Sequence, residues 1–146
     1  MAETIPEFGE AKNGVDYMLR PGGYLIVKNG TGEIAVTRTS QGFFLPGGGQ
    51  EAGETVEQAA LREGVEECGL RAVITGNIGV ADELVWSERE KTHFRKRCSF
   101  FRAELITCDG GGEADHELIW LRPDEAVSRL THGSQVWAVR WELRDA

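Results

Sequence analysis

The chain has 146 residues, 40% of them hydrophobic and 27% charged, which suits one globular domain with a buried core. Its formal net charge of −8 argues against DNA or an anionic membrane as partner. No segment approaches the ~20 apolar residues of a membrane span, and the polar start MAETIPEFGEAKNG has no secretory signal.

Residues 1–19 show no clear period and read as a loosely attached arm. Tyr24 to Val27 is a short apolar run, Asn29-Gly30-Thr31-Gly32 is turn chemistry, and Glu33 to Arg38 is β-rich, so the pair reads as a hairpin. Phe43-Phe44-Leu45 is a short strand that Pro46-Gly47 ends. Residues 55–68 are the clearest helix: Thr55 as N-cap with Gln58 three residues on forms a capping box, and Gly69 stops it. Ala60, Leu61, Val65 and Cys68 fall on its apolar side. Leu70 to Trp86 is mostly β, broken at Gly76 and Gly79, and Thr92 to Ile106 reads as one long strand. A glycine loop (109–112) leads into His116 to Leu121, Pro123-Asp124-Glu125 opens a helix, and Val136, Trp137, Val139 and Trp141 mark another. Without repeat or linker, this order predicts a mixed sheet sandwiched by helices, α/β in class, as a single domain over 1–146. Cys68, Cys98 and Cys108 lack metal-ligand spacing and read as free thiols of a reducing, cytoplasmic compartment.

The helix carries an electrostatic problem. Glu63, Glu66 and Glu67 stand at i, i+3 and i+4 and share one face, with Arg62 as the only cation from Gly47 to Leu70. A solvated acidic face is one reading. A site for a hard divalent cation is the other, since such ions take oxygen ligands and offset the repulsion. Pro46-Gly47-Gly48-Gly49 leaves carbonyl and amide groups bare enough to approach an ion or a phosphate, and no Gly-Lys-Ser/Thr follows to make a Walker A loop.

Gly48, Glu54 after five residues, and Arg62-Glu63-Gly64-Val65-Glu66-Glu67-Cys68-Gly69-Leu70 after seven more resemble the Nudix hydrolase signature G-x5-E-x7-R-E-U-x-E-E-x-G-U, where U is a bulky aliphatic. The signature covers 23 residues and the wider resemblance about residues 20–130. Gly64 departs from it at the first U, and reads as close packing beneath the helix.

The resemblance implies the Nudix-type α/β/α sandwich and Mg²⁺- or Mn²⁺-dependent hydrolysis of a nucleoside diphosphate linked to another moiety. It casts Glu63 and Glu67 as metal ligands, Glu66 as ligand or base, and the Gly47 carbonyl as a further ligand. Arg62 and Glu54 become an orienting ion pair. Gly48 lies where the phosphates approach. A loop carboxylate is expected to join them, and Glu113 is the best-placed candidate, with Glu117 and Asp115 as the others.

In the basic stretch Arg89 to Arg97, alternation sets His93, Arg95 and Arg97 on one face and Phe94, Lys96 and Cys98 on the other. Arg95 and Arg97 are taken as substrate-binding; a charged, solvated strand edge is the competing reading. Trp120, Trp137 and Trp141 suit core packing better than base stacking, and Phe8, Tyr17 and Tyr24 are candidate base-pocket residues. The scattered His93, His116 and His132 argue against a histidine metal site. A silent nucleotide-binding module and an isoprenoid diphosphate isomerase are the alternatives to a hydrolase. The silent module usually loses carboxylates of this box, and this chain keeps them. Oligomeric state is left open, a homodimer included.

Overall fold

The computed structural model describes residues 4–144. In chain order the elements are β1 (Glu7–Phe8), β2 (Met18–Lys28), β3 (Ile34–Thr39), β4 (Gly42–Phe44), β5 (Gly47–Gly49), α1 (Val56–Cys68), β6 (Leu70–Ser87), β7 (Thr92–Cys108), β8 (Glu117–Leu121), α2 (Pro123–Arg129) and α3 (Gly133–Arg144). The strands form one mixed sheet in the order β1-β6-β7-β2-β3-β4, with β5 added on β2 and β8 on β3. β2 runs parallel to β7 over eleven register pairs, Met18↔Phe94 to Lys28↔Glu104.

Alternation along the central strands builds two cores. Tyr24 and Ile26 join Val36, Leu45, Phe100 and Leu121 on the side covered by α2 and α3. Leu25 and Val27 join Ala35, Phe101 and Ala103 on the side covered by α1 through Ala60 and Cys68. This is the α/β/α sandwich expected from the sequence.

Helix α1 starts where its capping box predicts: Thr55 Oγ1 accepts the Gln58 amide and Gln58 Oε1 accepts the Thr55 amide. Such a cap contributes about 1 kcal/mol. Its buried stripe is Ala59, Ala60, Gly64 and Cys68 rather than Leu61 and Val65, which are only half-buried. Gly64 explains the difference. A Cβ there would lie 3.3 Å from the Leu70 carbonyl oxygen and 3.7 Å from Leu25 Cδ1, so the helix settles onto the sheet at the glycine.

Three differences from the sequence reading share a tertiary cause. β2 begins at Met18 despite Pro21, Gly22 and Gly23, because the long parallel pairing with β7 overrides local propensity. Gly47–Gly49 pairs with Gly22–Tyr24 as a short strand instead of a bare loop. The N-terminal arm is docked: Glu7 and Phe8 pair with Asp82 and Glu83, the Asp82 amide donates to the Pro6 carbonyl at 2.8 Å, and Phe8 packs on the α3-side core. Gly76 and Gly79 mark register shifts inside one continuous β6, not breaks.

Candidate active site

The glycine strand β5 brings backbone directly against the acidic face of α1. Gly48 sits so close to Glu63 that a Cβ would meet its Oε2 at 2.6 Å, so any larger residue would displace the Glu63 side chain. Next to it, the Gly47 amide donates to Glu67 Oε1 at 3.1 Å. The Gly47 group on the carboxylate is therefore its N–H.

Arg62 gathers the rest of the face. Its Nε donates to Glu54 Oε2 at 2.7 Å and one terminal nitrogen to Glu54 Oε1 at 3.0 Å, a bidentate pair. The same nitrogen donates to the Gly49 carbonyl at 3.1 Å. The other reaches Glu63 Oε1 at 2.5 Å and Glu66 Oε2 at 3.0 Å. One guanidinium thus fixes the β5–α1 connection and two of the three helix glutamates. Hydrogen bonds from Arg62 and from the Glu51 amide hold Glu54 below the usual carboxylate range.

Glu67 has no such partner. Its side chain is 13% exposed, against 50% for Glu66. Burial, followed by the charges of Glu63, Glu113 and Glu66, outweighs the Gly47 hydrogen bond and pushes its carboxyl up to about 8. Burial also raises Glu63, with the Arg62 hydrogen bond opposing it. Tyr24 beside them is raised well above the ordinary phenol value, first by burial and then by the charges of Cys98 and Glu67.

Of the three loop carboxylates, Glu113 is the one tied to α1. Its amide donates to the Glu66 and Glu67 carbonyls, both at 3.2 Å, closing the loop on the helix C-terminus. Asp115 binds the Ser40 amide and hydroxyl, and Glu117 forms an ion pair with Arg38. The sequence missed His116. Its Nε2 lies 3.6 Å from Glu67 Oε2 and its Nδ1 3.3 Å from Glu113 Oε2, the latter without hydrogen-bond geometry, so Nδ1 is buried and unsatisfied. Only its position between Asp115 and Glu117 offered a signal.

A cavity of about 690 Å³ opens over this site, lined by Gly47, Gly48, Glu63 and Glu67 at its acidic part. Tyr24, Phe44, His132 and Gln135 line it too, and so do Arg20, Arg89 and Lys96. Arg95 and Arg97 are not brought there. Both turn to the other face of the sheet and clamp Asp82, at 3.1 Å and 2.9 Å. Alternation on β7 placed Lys96, not its neighbours, toward the cavity. Tyr24 lines the cavity, Phe8 is half-buried against the α3-side core, and Tyr17 packs edge-on to His93.

Among the described residues no three His, Cys, Asp or Glu side chains converge as a ready metal cage, because Arg62 holds Glu63 and Glu66. The donor chemistry nevertheless fits a hard divalent cation. All the donors are oxygens, and the buried Glu67 lies among three other carboxylates, with the Gly47 amide and the His116 imidazole, 3.6 Å away, as non-acidic polar neighbours.

The NUDIX domain profile matches residues 18–140. A chloroplastic Nudix hydrolase 21 of Arabidopsis thaliana is 37% identical over 75 residues, 48% of this chain and 35% of that protein. A putative 8-oxo-dGTP diphosphatase of Bacillus subtilis is 32% identical over 79 residues, 53% of each. The matched segment thus spans between a third and about half of these relatives. In fold, the chain resembles the MutT protein of Methanosarcina mazei Go1, with a TM-score of 0.70 at 18% identity, covering 90% of this chain and 99% of that one.

Proposed function

The chain belongs to the Nudix family, and on that premise we propose that it is a pyrophosphohydrolase acting on a nucleoside diphosphate linked to a further moiety. The observation that carries this reading is Glu67, a carboxylate kept out of water beside Glu63 and Glu113, paired with no lysine or arginine among the described residues, at the wall of a large cavity. A buried carboxyl raised this far by burial and like charges, in the wall of a cavity, is characteristic of functional sites.

In this reading Glu63, Glu66 and Glu67, with the Gly47 carbonyl, hold Mg²⁺ or Mn²⁺. When bound, such an ion would supply charge withdrawal from the pyrophosphate oxygens and would favour loss of a proton from the attacking water. The protein's own residues do the rest. Arg62 keeps the Glu54 loop and the helix face in one geometry, so the carboxylates need not be reordered when substrate arrives. Gly48 lets the β5 backbone lie directly against the Glu63 carboxylate. Glu66 or Glu113 accepts a proton from the attacking water as its oxygen bonds to phosphorus and the anhydride bridge breaks. Gln135, 2% exposed, accepts the Leu45 amide on its Oε1 and so fixes the cavity wall beside Phe44.

We take residues 1–146 as a single domain. The cysteines Cys68, Cys98 and Cys108 are unpaired, which supports a cytoplasmic, reducing location. A panel of nucleoside diphosphate derivatives with Mg²⁺ or Mn²⁺, resolved by product chromatography, tests the activity. Release of a nucleoside monophosphate together with the phosphorylated partner is expected. Tight nucleotide binding without turnover of any compound would turn the reading toward a silent binding module.

A further inference from the structure

Basic residues near the cavity are unequally satisfied. Arg95 and Arg97 share Asp82, and Arg95 also binds Glu7 at 2.6 Å. Lys96, between them in sequence, is half-buried, and among the described residues no carboxylate lies within salt-bridge distance of it. Its cross-strand partner Glu83 is directed elsewhere: Oε1 accepts the Ser134 amide at 2.9 Å and Oε2 lies 3.9 Å from His132 Nδ1. Arg20 approaches the same region, held over the Phe94 ring at 4.8 Å and paired with exposed Glu90 at 2.7 Å.

Lys96 and Arg20 also stand at a junction. A second cavity of about 340 Å³ shares Arg20, Lys96, Phe44 and His132 with the larger one. It adds Trp86 and Phe94 and has no carboxylate from α1 in its wall. A molecule whose anhydride lies at Glu63 and Glu67 and which extends toward Trp86 therefore passes these two cations.

We propose that the moiety beyond the hydrolysed anhydride carries phosphate of its own, held by Lys96 with Arg20, so that polyphosphate nucleotides are preferred over nucleotide sugars. This rests on the pyrophosphohydrolase reading above. A half-buried ammonium in a strongly acidic protein has a desolvation cost that a phosphate offsets, and lysine serves as a point-charge phosphate ligand. An uncharged sugar in that position leaves Lys96 without a counter-charge.

The test compares a triphosphate and a glucose diphosphate ester of one base, the base being that which wild type accepts best. Wild type should favour the triphosphate. Lys96→Gln should lower kcat/KM for it by roughly 10–100-fold, the range for a lost charged hydrogen bond, and reduce the triphosphate-to-sugar ratio at least tenfold. Lys96→Arg should restore most of that ratio, and melting should show that both variants fold. Equal losses on the two substrates, no loss, or a wild-type preference for the sugar would overturn the proposal. If wild type turns over neither these nor any other compound of the panel, the pyrophosphohydrolase reading fails separately. Calorimetric titration with the same two nucleotides then decides the anion site: tighter binding of the triphosphate, weakened by Lys96→Gln, sustains it, and equal binding removes it.

Discussion

Asp82 and Glu67 are both carboxylates largely withdrawn from water, and the fold treats them in opposite ways. Asp82, 3% exposed at its side chain, accepts three hydrogen bonds from Arg95 and Arg97. Burial raises its pKa, but the two arginines more than reverse that and hold it below the usual range. Glu67 receives one backbone amide and three negative neighbours, and its proton is held to about 8. A carboxylate that serves the fold is supplied with cations by the fold. One left with like charges is a standing cost, tolerated where a ligand completes the charge balance.

The sharpest way to break this contrast is Glu67→Gln. The amide keeps an oxygen for the Gly47 N–H and removes one negative charge, so the metal-free variant should melt at the parental temperature or slightly higher. Hydrolysis should nevertheless fall by about 10²–10⁴-fold at saturating Mg²⁺, the range for a lost acid–base or metal-activating group. Near-parental turnover would remove Glu67 from the reacting shell. Arg62→Ala comes next, because it strands Glu54, Glu63 and Glu66 together. A loss of about 2–3 kcal/mol is expected, below the 3–5 kcal/mol of a fully buried pair because Glu66 is half-exposed. The rate should drop roughly tenfold or more, as the face loses its preset geometry. Unchanged melting and turnover together would show that Arg62 orders nothing.

Asp82→Asn probes the other member of the pair. With Arg95 and Arg97 about a third exposed, both rehydrate when the charge goes, so the cost should be about 1–2 kcal/mol. At this chain length that lowers Tm by roughly 3–8 °C. Turnover should stay within about twofold, since Asp82 faces away from the cavity. A large rate loss without a Tm change would reverse the roles assigned to the two carboxylates.

The acidic site was far more legible in the sequence than the basic one. Glu54, Arg62, Glu63, Glu66 and Glu67 lie within one helix and its entry, where local spacing fixes which side chains meet. The structure brings them together around Gly47 and Gly48, and Glu113 as well, through its amide bonds to the helix end. Strand β7 gave only an alternation. Which face looks into the cavity depends on β2 and β6 as neighbours and on Asp82, twelve or more residues away in sequence, so Arg95 and Arg97 were preferred over Lys96. The docked arm and the early start of β2 escaped for the same reason: Pro6, Pro21 and Gly22 carry no strand signal, and pairing partners far along the chain supply it.

The smallest effect is a pair of opposite slopes in stability against pH. Between the ordinary carboxylate value of 4.5 and about 8, folded Glu67 retains a proton that the unfolded chain has lost. The native state then binds more protons, so this contribution to stability falls as pH rises through that window. For Asp82 the sign is reversed. Its folded pKa lies below the ordinary 3.8, so its contribution is present above that value and is lost as pH falls through the lowered one. Metal-free melting curves from pH 3 to 9 (a range set by roughly the ordinary carboxylate and raised values) should therefore flatten on the alkaline side in Glu67→Gln and on the acid side in Asp82→Asn. Saturating Mg²⁺ should flatten the alkaline limb of the wild type as the substitution does, because a bound cation removes the preference for the protonated form. An alkaline limb unaffected by both Glu67→Gln and Mg²⁺ would mean that Glu67 already has its counter-charge within the fold, and the contrast with Asp82 would disappear.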